Sequence, residues 1–166
     1  GIRPLEFKTF SKEMQNAITN YCQAGGNFFV SGAYVASDLW DNRLVKANEE
    51  DKKFAMEVLK YKWRVGQAAR NGKVKSVTSP FPEITGSYTY YQDLNPESYV
   101  VESPDALEPA AQGAFTILRY SENNLSAGIA YKGNYKTCVL GFPFEAIRTV
   151  TERELLMKAI LTFFEH

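Results

Sequence analysis

The chain has 166 residues, 45% hydrophobic and 23% charged, enough for one ordinary domain with a buried core. Nineteen Lys and Arg balance nineteen Asp and Glu, so no net field draws the protein to nucleic acid or an anionic membrane. No run is long and apolar enough to insert in a bilayer as a helix, and two cysteines, Cys22 and Cys138, are too few for a disulfide framework or a zinc pattern.

The opening GIRPLEF has no initiator Met and reads as the start of a domain taken from a larger protein. SKEMQNAITNYCQAGG then predicts an amphipathic helix, with Ser11 as N-cap and Met14, Ala17, Ile18, Tyr21 and Cys22 on one face. Gly25 and Gly26 stop it, since a left-handed cap favours glycine. NFFVS follows as a short apolar run, the mark of a strand buried on both faces. AYVASDLW predicts a short helix starting on the sheet's carboxyl edge. ANEEDKKFAMEVLKYKW predicts a longer one, with Glu49, Glu50 and Asp51 at the positive end of its dipole and Phe54, Val58 and Leu59 turned inward.

WRVGQAARNGKVKSVTS reads as two strands around an Asn71-Gly72 hairpin turn. GSYTYYQDL and SYVVES read as short strands or extended segments, while TSPFPE, NPESY and ESPDALEPAAQG are Pro-rich connections. AFTILRY and SAGIAYKGNYKTCVLGF predict three strands joined by turns at Asn123-Asn124 and Gly133-Asn134. TERELLMKAILTFFEH closes the chain as a helix, with Thr151 and Glu154 as a capping box and Leu155, Ile160 and Phe163 or Phe164 as the buried stripe. The sum is one α/β domain: a three-layer sandwich whose mixed sheet has a parallel centre, packed by helices around residues 11–24, 49–61 and 152–164. Residues 62–125 read as an insertion-like run of short strands and loops covering one end of the sheet.

Three sets of residues are candidates for function. Ser31, in VSGAY, stands where a strand ends in a sharp turn, the place of a nucleophile elbow. The only histidine is the terminal His166, so no imidazole is at hand to activate that hydroxyl, and a turn-capping role is the simpler reading. Asp38, Asp41 and Glu145 follow predicted strand ends, where open α/β sheets bind ligands. Such carboxylates do acid–base work or hold a hard cation; equally, they cap turns or pair with Arg148. Tyr34 and Trp40 flank the same loop, with Tyr88, Tyr90 and Tyr91 further on. Aromatic faces beside carboxylates suit carbohydrate, and alternating tyrosines on a strand also suit plain packing. The ligand-binding set is therefore Tyr34, Asp38, Trp40, Asp41 and Glu145, with no metal and no cofactor expected.

Three segments in this order, AGGNFFVSGAYVASDL, SAGIAYKGNYKTCVLGFPFEAI and RELLMKAILTFF, resemble the α/β domain near the C-terminus of secreted bacterial proteins labelled xanthan lyase or golvesin-like. That domain is similar to the class I glutamine amidotransferase-like, flavodoxin-like fold. The resemblance implies an accessory domain of a secreted, periplasmic or cell-envelope protein. Its partners would be neighbouring domains of the parent chain and polysaccharide or peptidoglycan. It does not carry over an amidotransferase triad: SGAYV has no cysteine, and Cys138 sits inside a predicted strand. A structural or glycan-binding role is expected. The alternative is a hydrolase or lyase-associated catalytic domain using the strand-end carboxylates.

Overall fold

Ser11 opens the first helix as expected: with φ −60° and ψ 162°, its hydroxyl accepts from the Met14 N–H at 3.3 Å. This helix, α1 (Lys12–Gln23), ends in the turn at Gly25, whose φ of +88° is left-handed. The computed structural model describes residues 8–41 and 47–166, so the opening GIRPLEF lies outside the described residues. The buried face of α1 is Gln15, Ile18 and Cys22; Met14 and Tyr21 are exposed, one step round the helix from the expected stripe. Gln15 is drawn inward because its amide donates to the Phe10 carbonyl at 3.0 Å and the Asp51 carboxylate at 2.7 Å.

β1 (Phe28–Ser31) and the short α2 (Ser37–Trp40) follow. α3 (Glu49–Phe54) starts in a capping box between Asn48 and Asp51 and runs on as a π-helical turn, Ala55–Leu59. Lys60, at φ 68°, closes it, so the helix stops short of residue 61. The remaining strands are β2 (Tyr61–Val65), β3 (Lys73–Ser76), β4 (Ser87–Thr89), β5 (Ala106–Pro109), β6 (Ala114–Tyr120), β7 (Ser126–Lys132) and β8 (Lys136–Leu140). α4 (Val150–Glu165) completes the chain.

Six strands form a mixed sheet in the order β1-β8-β7-β6-β3-β4. The β6-β7-β8 meander matches the sequence reading, with Asn124 at φ 63° in the first turn. Connections that short join only antiparallel strands. The expected parallel centre is therefore corrected. Among the described residues the one parallel pair is β1 with β8, at the sheet's edge, and every residue of β1 is half-buried rather than enclosed on both faces. The Asn71-Gly72 hairpin is corrected too. Gly72 does turn the chain at φ +62°, but β3 pairs with β4 and β6, whereas β2 crosses away to pair with β5 in a separate two-stranded sheet. Residues 62–125 thus extend the main sheet by β3, β4 and β6 instead of covering its end.

Two apolar clusters flank the sheet. Cys138 and Leu140 of β8 point into one, with Leu156, Ala159, Ile160 and Phe163 of α4; Val139 points into the other, with Ile18 and Cys22 of α1 and Phe54 of α3. Tyr61 of β2 and Leu107 of β5 join the second. Leu155 is exposed, so the α4 stripe also lies one residue from the expected one.

The N-cap of α4 is Thr149 with Glu152, not Thr151 with Glu154; the sequence holds two overlapping Thr-x-x-Glu frames, and the first one caps. Thr149→Ala is expected to cost about 1 kcal/mol in chemical denaturation, while Thr151→Ala changes little. A larger loss at Thr151 would place the helix start two residues later.

Candidate ligand-binding site

Because β1 and β8 are parallel, with Ser31 opposite Leu140, both chains leave the sheet at the same end. Between their exits lies a cleft of about 260 Å³. Gly32, Ala33 and Tyr34 line it from the β1 side and Pro143 from the β8 side. A third wall, Tyr99 to Glu102, arrives on the long connection between β4 and β5. The Ser31 hydroxyl accepts from the Phe144 N–H at 3.1 Å, which fixes the 3-10 turn Phe144–Ala146 beside the cleft. The Tyr99 hydroxyl donates to Oε1 of Glu145 at 2.6 Å across the rim. Partial burial, then the Glu145 carboxylate, push the Tyr99 phenol well above its ordinary value.

Asp105 ties these walls together. One carboxylate oxygen accepts from the Ala36 N–H at 2.8 Å, the Ser37 N–H at 2.9 Å and the Ser37 hydroxyl at 3.2 Å; the other accepts from the Trp63 indole N–H at 3.0 Å. Its backbone N–H donates to the Gly141 carbonyl at 2.7 Å, and its carbonyl accepts from the Tyr120 hydroxyl at 2.8 Å. The segments leaving β1, entering β5 and leaving β8 therefore meet at one wholly buried residue. Burial pushes its carboxyl up to about 7, against the pull of the backbone N–H groups, the indole and the hydroxyl.

The structure brings Ser31, Tyr34 and Glu145 to this end of the sheet and leaves the rest of the expected set elsewhere. Asp38 is wholly buried: one oxygen accepts from the Phe10 N–H at 3.3 Å and the other has no hydrogen-bond partner among the described residues. Burial raises its pKa, with the Phe10 and Thr9 N–H groups pulling the other way. Asp41 is buried, and Trp40 packs half-buried against the second apolar cluster. The three carboxylates thus do not converge. Nearby, burial lifts the Asp51 carboxyl, but Lys8, Gln15 and the Asn48 N–H outweigh it and hold it below the usual range. This polar clasp pins the residues before α1 to α3.

Tyr88 and Tyr90 are buried packing residues, Tyr90 stacking on Phe142 with centroids 5.0 Å apart, and Tyr91 lies under the Arg148 guanidinium. Cys138 is wholly buried and burial pushes its thiol up; among the described residues no three His, Cys, Asp or Glu are grouped to hold a metal ion. Sequence reasoning missed Tyr99, Glu102 and Asp105: the first two lie in SYVVES, read as a strand or extended segment and found to be a connection, and Asp105 lies in a Pro-rich connection.

The sequence matches no family model, and a search of curated proteins found no match. Among solved structures the chain is similar to the exo-beta-1,4-mannosidase Op5Man5 from Opitutaceae bacterium strain TAV5, with a TM-score of 0.50 and 9% sequence identity. The match covers 91% of this chain and 22% of that chain, so this chain spans about a fifth of the enzyme's length. At that identity the likeness is one of fold alone.

Proposed function

We propose that this chain is a non-catalytic accessory domain of a larger carbohydrate-active protein and that it binds saccharide in the cleft beyond β1 and β8. The observation that carries the reading is the cleft itself: apolar walls, the aromatic rings of Tyr34 and Tyr99, and hydrogen-bonding groups at the rim. Rings of this kind cover the apolar faces of sugars while rim carboxylates and hydroxyls orient the ring substituents. A carbohydrate setting accords with the mannosidase named above, of which this chain matches a domain-sized part.

Catalysis has less support. The Ser31 hydroxyl is engaged with the Phe144 N–H, and no base accompanies it among the described residues. Asp38 faces the Phe10 N–H in the interior, while Glu145 stands exposed at the rim, so they do not flank a common bond. The finer family reading, a flavodoxin-like three-layer domain like those of secreted xanthan lyase-like or golvesin-like proteins, belongs to the same proposal. Its support is that the three resembling segments adjoin in space, as β1 with α2, β7–β8 with the turn after it, and α4. A place in a secreted or cell-envelope protein goes with it.

Titrating the isotope-labelled chain with mannohexaose should produce saturable NMR shifts at residues 32–34 and 99–102. Tyr99→Ala should abolish them without lowering the melting temperature, because that side chain is largely exposed. Shifts confined to another surface, or none at millimolar sugar, would sink the binding reading.

A further inference from the structure

Several exposed carboxylates on this surface are ion-paired. Glu50 pairs with Lys12 at 2.7 Å and Glu49 with Lys52 at 2.8 Å; Glu108 pairs with Arg64, and Asp93 with Arg148. The two carboxylates at the cleft are not. Glu102 lines it and Glu145 stands at its rim, both exposed, and neither has a Lys or Arg partner among the described residues. The nearest candidate in sequence, Arg148, is turned to Asp93 and over the Tyr91 ring. Glu145 receives only the Tyr99 hydroxyl, on one oxygen, which leaves the other open to a ligand. Among the described residues, none that lines the cleft is basic.

Two unmatched carboxylates beside two tyrosine rings form an environment for a cation. An ammonium group gains from both carboxylates and from the negative face of an aromatic ring. A carboxylated sugar would meet two like charges with no basic residue among the described lining to offset them. Resting on the saccharide-binding reading above, we infer that the cleft selects glycans bearing free amino groups and rejects uronic-acid glycans. Glu102 and Glu145 are the residues that set this preference, and Tyr99 links them, since it lines the same wall as Glu102 and its hydroxyl donates to Glu145.

The test compares three probes on the full chain in mildly acidic, low-salt buffer: a β-1,4-linked glucosamine hexasaccharide, mannohexaose and hexagalacturonate. The amino sugar should bind roughly tenfold more tightly than mannohexaose, as two exposed charge contacts allow, and hexagalacturonate should bind more weakly than either. Added salt should shrink the gap. In the double variant Glu102→Gln/Glu145→Gln, checked for an unchanged melting temperature, the amino-sugar and mannohexaose affinities should converge. Hexagalacturonate binding as tightly as the amino sugar, or a preference that survives in the double variant, would overturn the inference and leave saccharide binding standing. If none of the three probes shifts any resonance, the binding reading itself falls and the inference with it.

Discussion

Replacing Asp105 with Ala is expected to lower the free energy of unfolding by about 3–5 kcal/mol near neutral pH, because it strands two buried donors and a third, partly buried one at once. The N–H groups of Ala36 and Ser37 and the Trp63 indole all end on this carboxylate, and each unsatisfied buried donor costs on the order of 1–3 kcal/mol. The Ser37 hydroxyl can turn away, so it adds little. Asp105→Asn keeps the shape and one acceptor but places an amide NH₂ among groups that themselves donate. Its loss should be about half as large. Urea denaturation of the three proteins checks the order, and a loss below about 1 kcal/mol for the Ala variant would mean that water takes over the carboxylate's role.

The same residue gives stability a pH dependence of defined sign. Its folded pKa, about 7, lies above the ordinary 3.8, so the folded state holds this proton more tightly than the unfolded chain does. The contribution is fully present below about pH 3.8 and is lost as pH rises through about 7. Asp38, also raised, acts in the same direction, and Asp51, lowered, acts in the opposite one. The difference between wild type and Asp105→Asn isolates the single group: it should narrow as pH rises across that window, by at most about 1.4 kcal/mol per unit. The indole N–H resonance of Trp63, bonded directly to the carboxylate, should move with a midpoint near 7. A midpoint in the ordinary aspartate range would show that the donors outweigh burial.

The parts of this fold that the sequence makes legible are those governed by near neighbours. Ser11, Gly25, the Asn turns and the apolar runs of β6 to β8 act within a few residues, and the structure follows them. Strand partnership is different. FFVS states that a strand is apolar but not which strands lie beside it, and β1 turns out to have β8 on one side only among the described residues. Helix phase fails by one residue where an inward polar group is satisfied by distant partners. Gln15 is buried because Asp51, thirty-six positions away, accepts its amide. The site divides along the same line. The placement of Ser31, Tyr34 and Glu145 at one end of the sheet is legible because all three follow predicted strand ends. Asp105 was not, since a lone aspartate between Pro104 and Ala106 carries no mark of the donors that close on it.

Gly141→Ala should be at least as damaging, at about 3 kcal/mol or more, for a reason that has nothing to do with backbone freedom. Gly141 lacks a left-handed φ; what it lacks is room. A Cβ there would lie 2.0 Å from the Asp105 carbonyl oxygen and 3.3 Å from the Tyr120 hydroxyl. The first neighbour is backbone and cannot rotate away. Relief requires the chain at Asp105 to withdraw by more than an ångström, to roughly the separation of ordinary contacts. That movement stretches the 2.7 Å bond from the Asp105 N–H to the Gly141 carbonyl and drags the carboxylate off Ala36 and Ser37. Gly86→Ala is the fitting control. Its φ of +79° makes alanine unfavourable, but the added methyl meets nothing within 4 Å, so the loss should stay at about 1–2 kcal/mol. If Gly141→Ala is no worse than Gly86→Ala, the Asp105 segment yields easily and the cleft walls are not held where the hydrogen bonds place them. If it is much worse, and the Trp63 indole resonance shifts with it, the close approach at Gly141 is what lets a buried carboxylate organise the loops around the cleft.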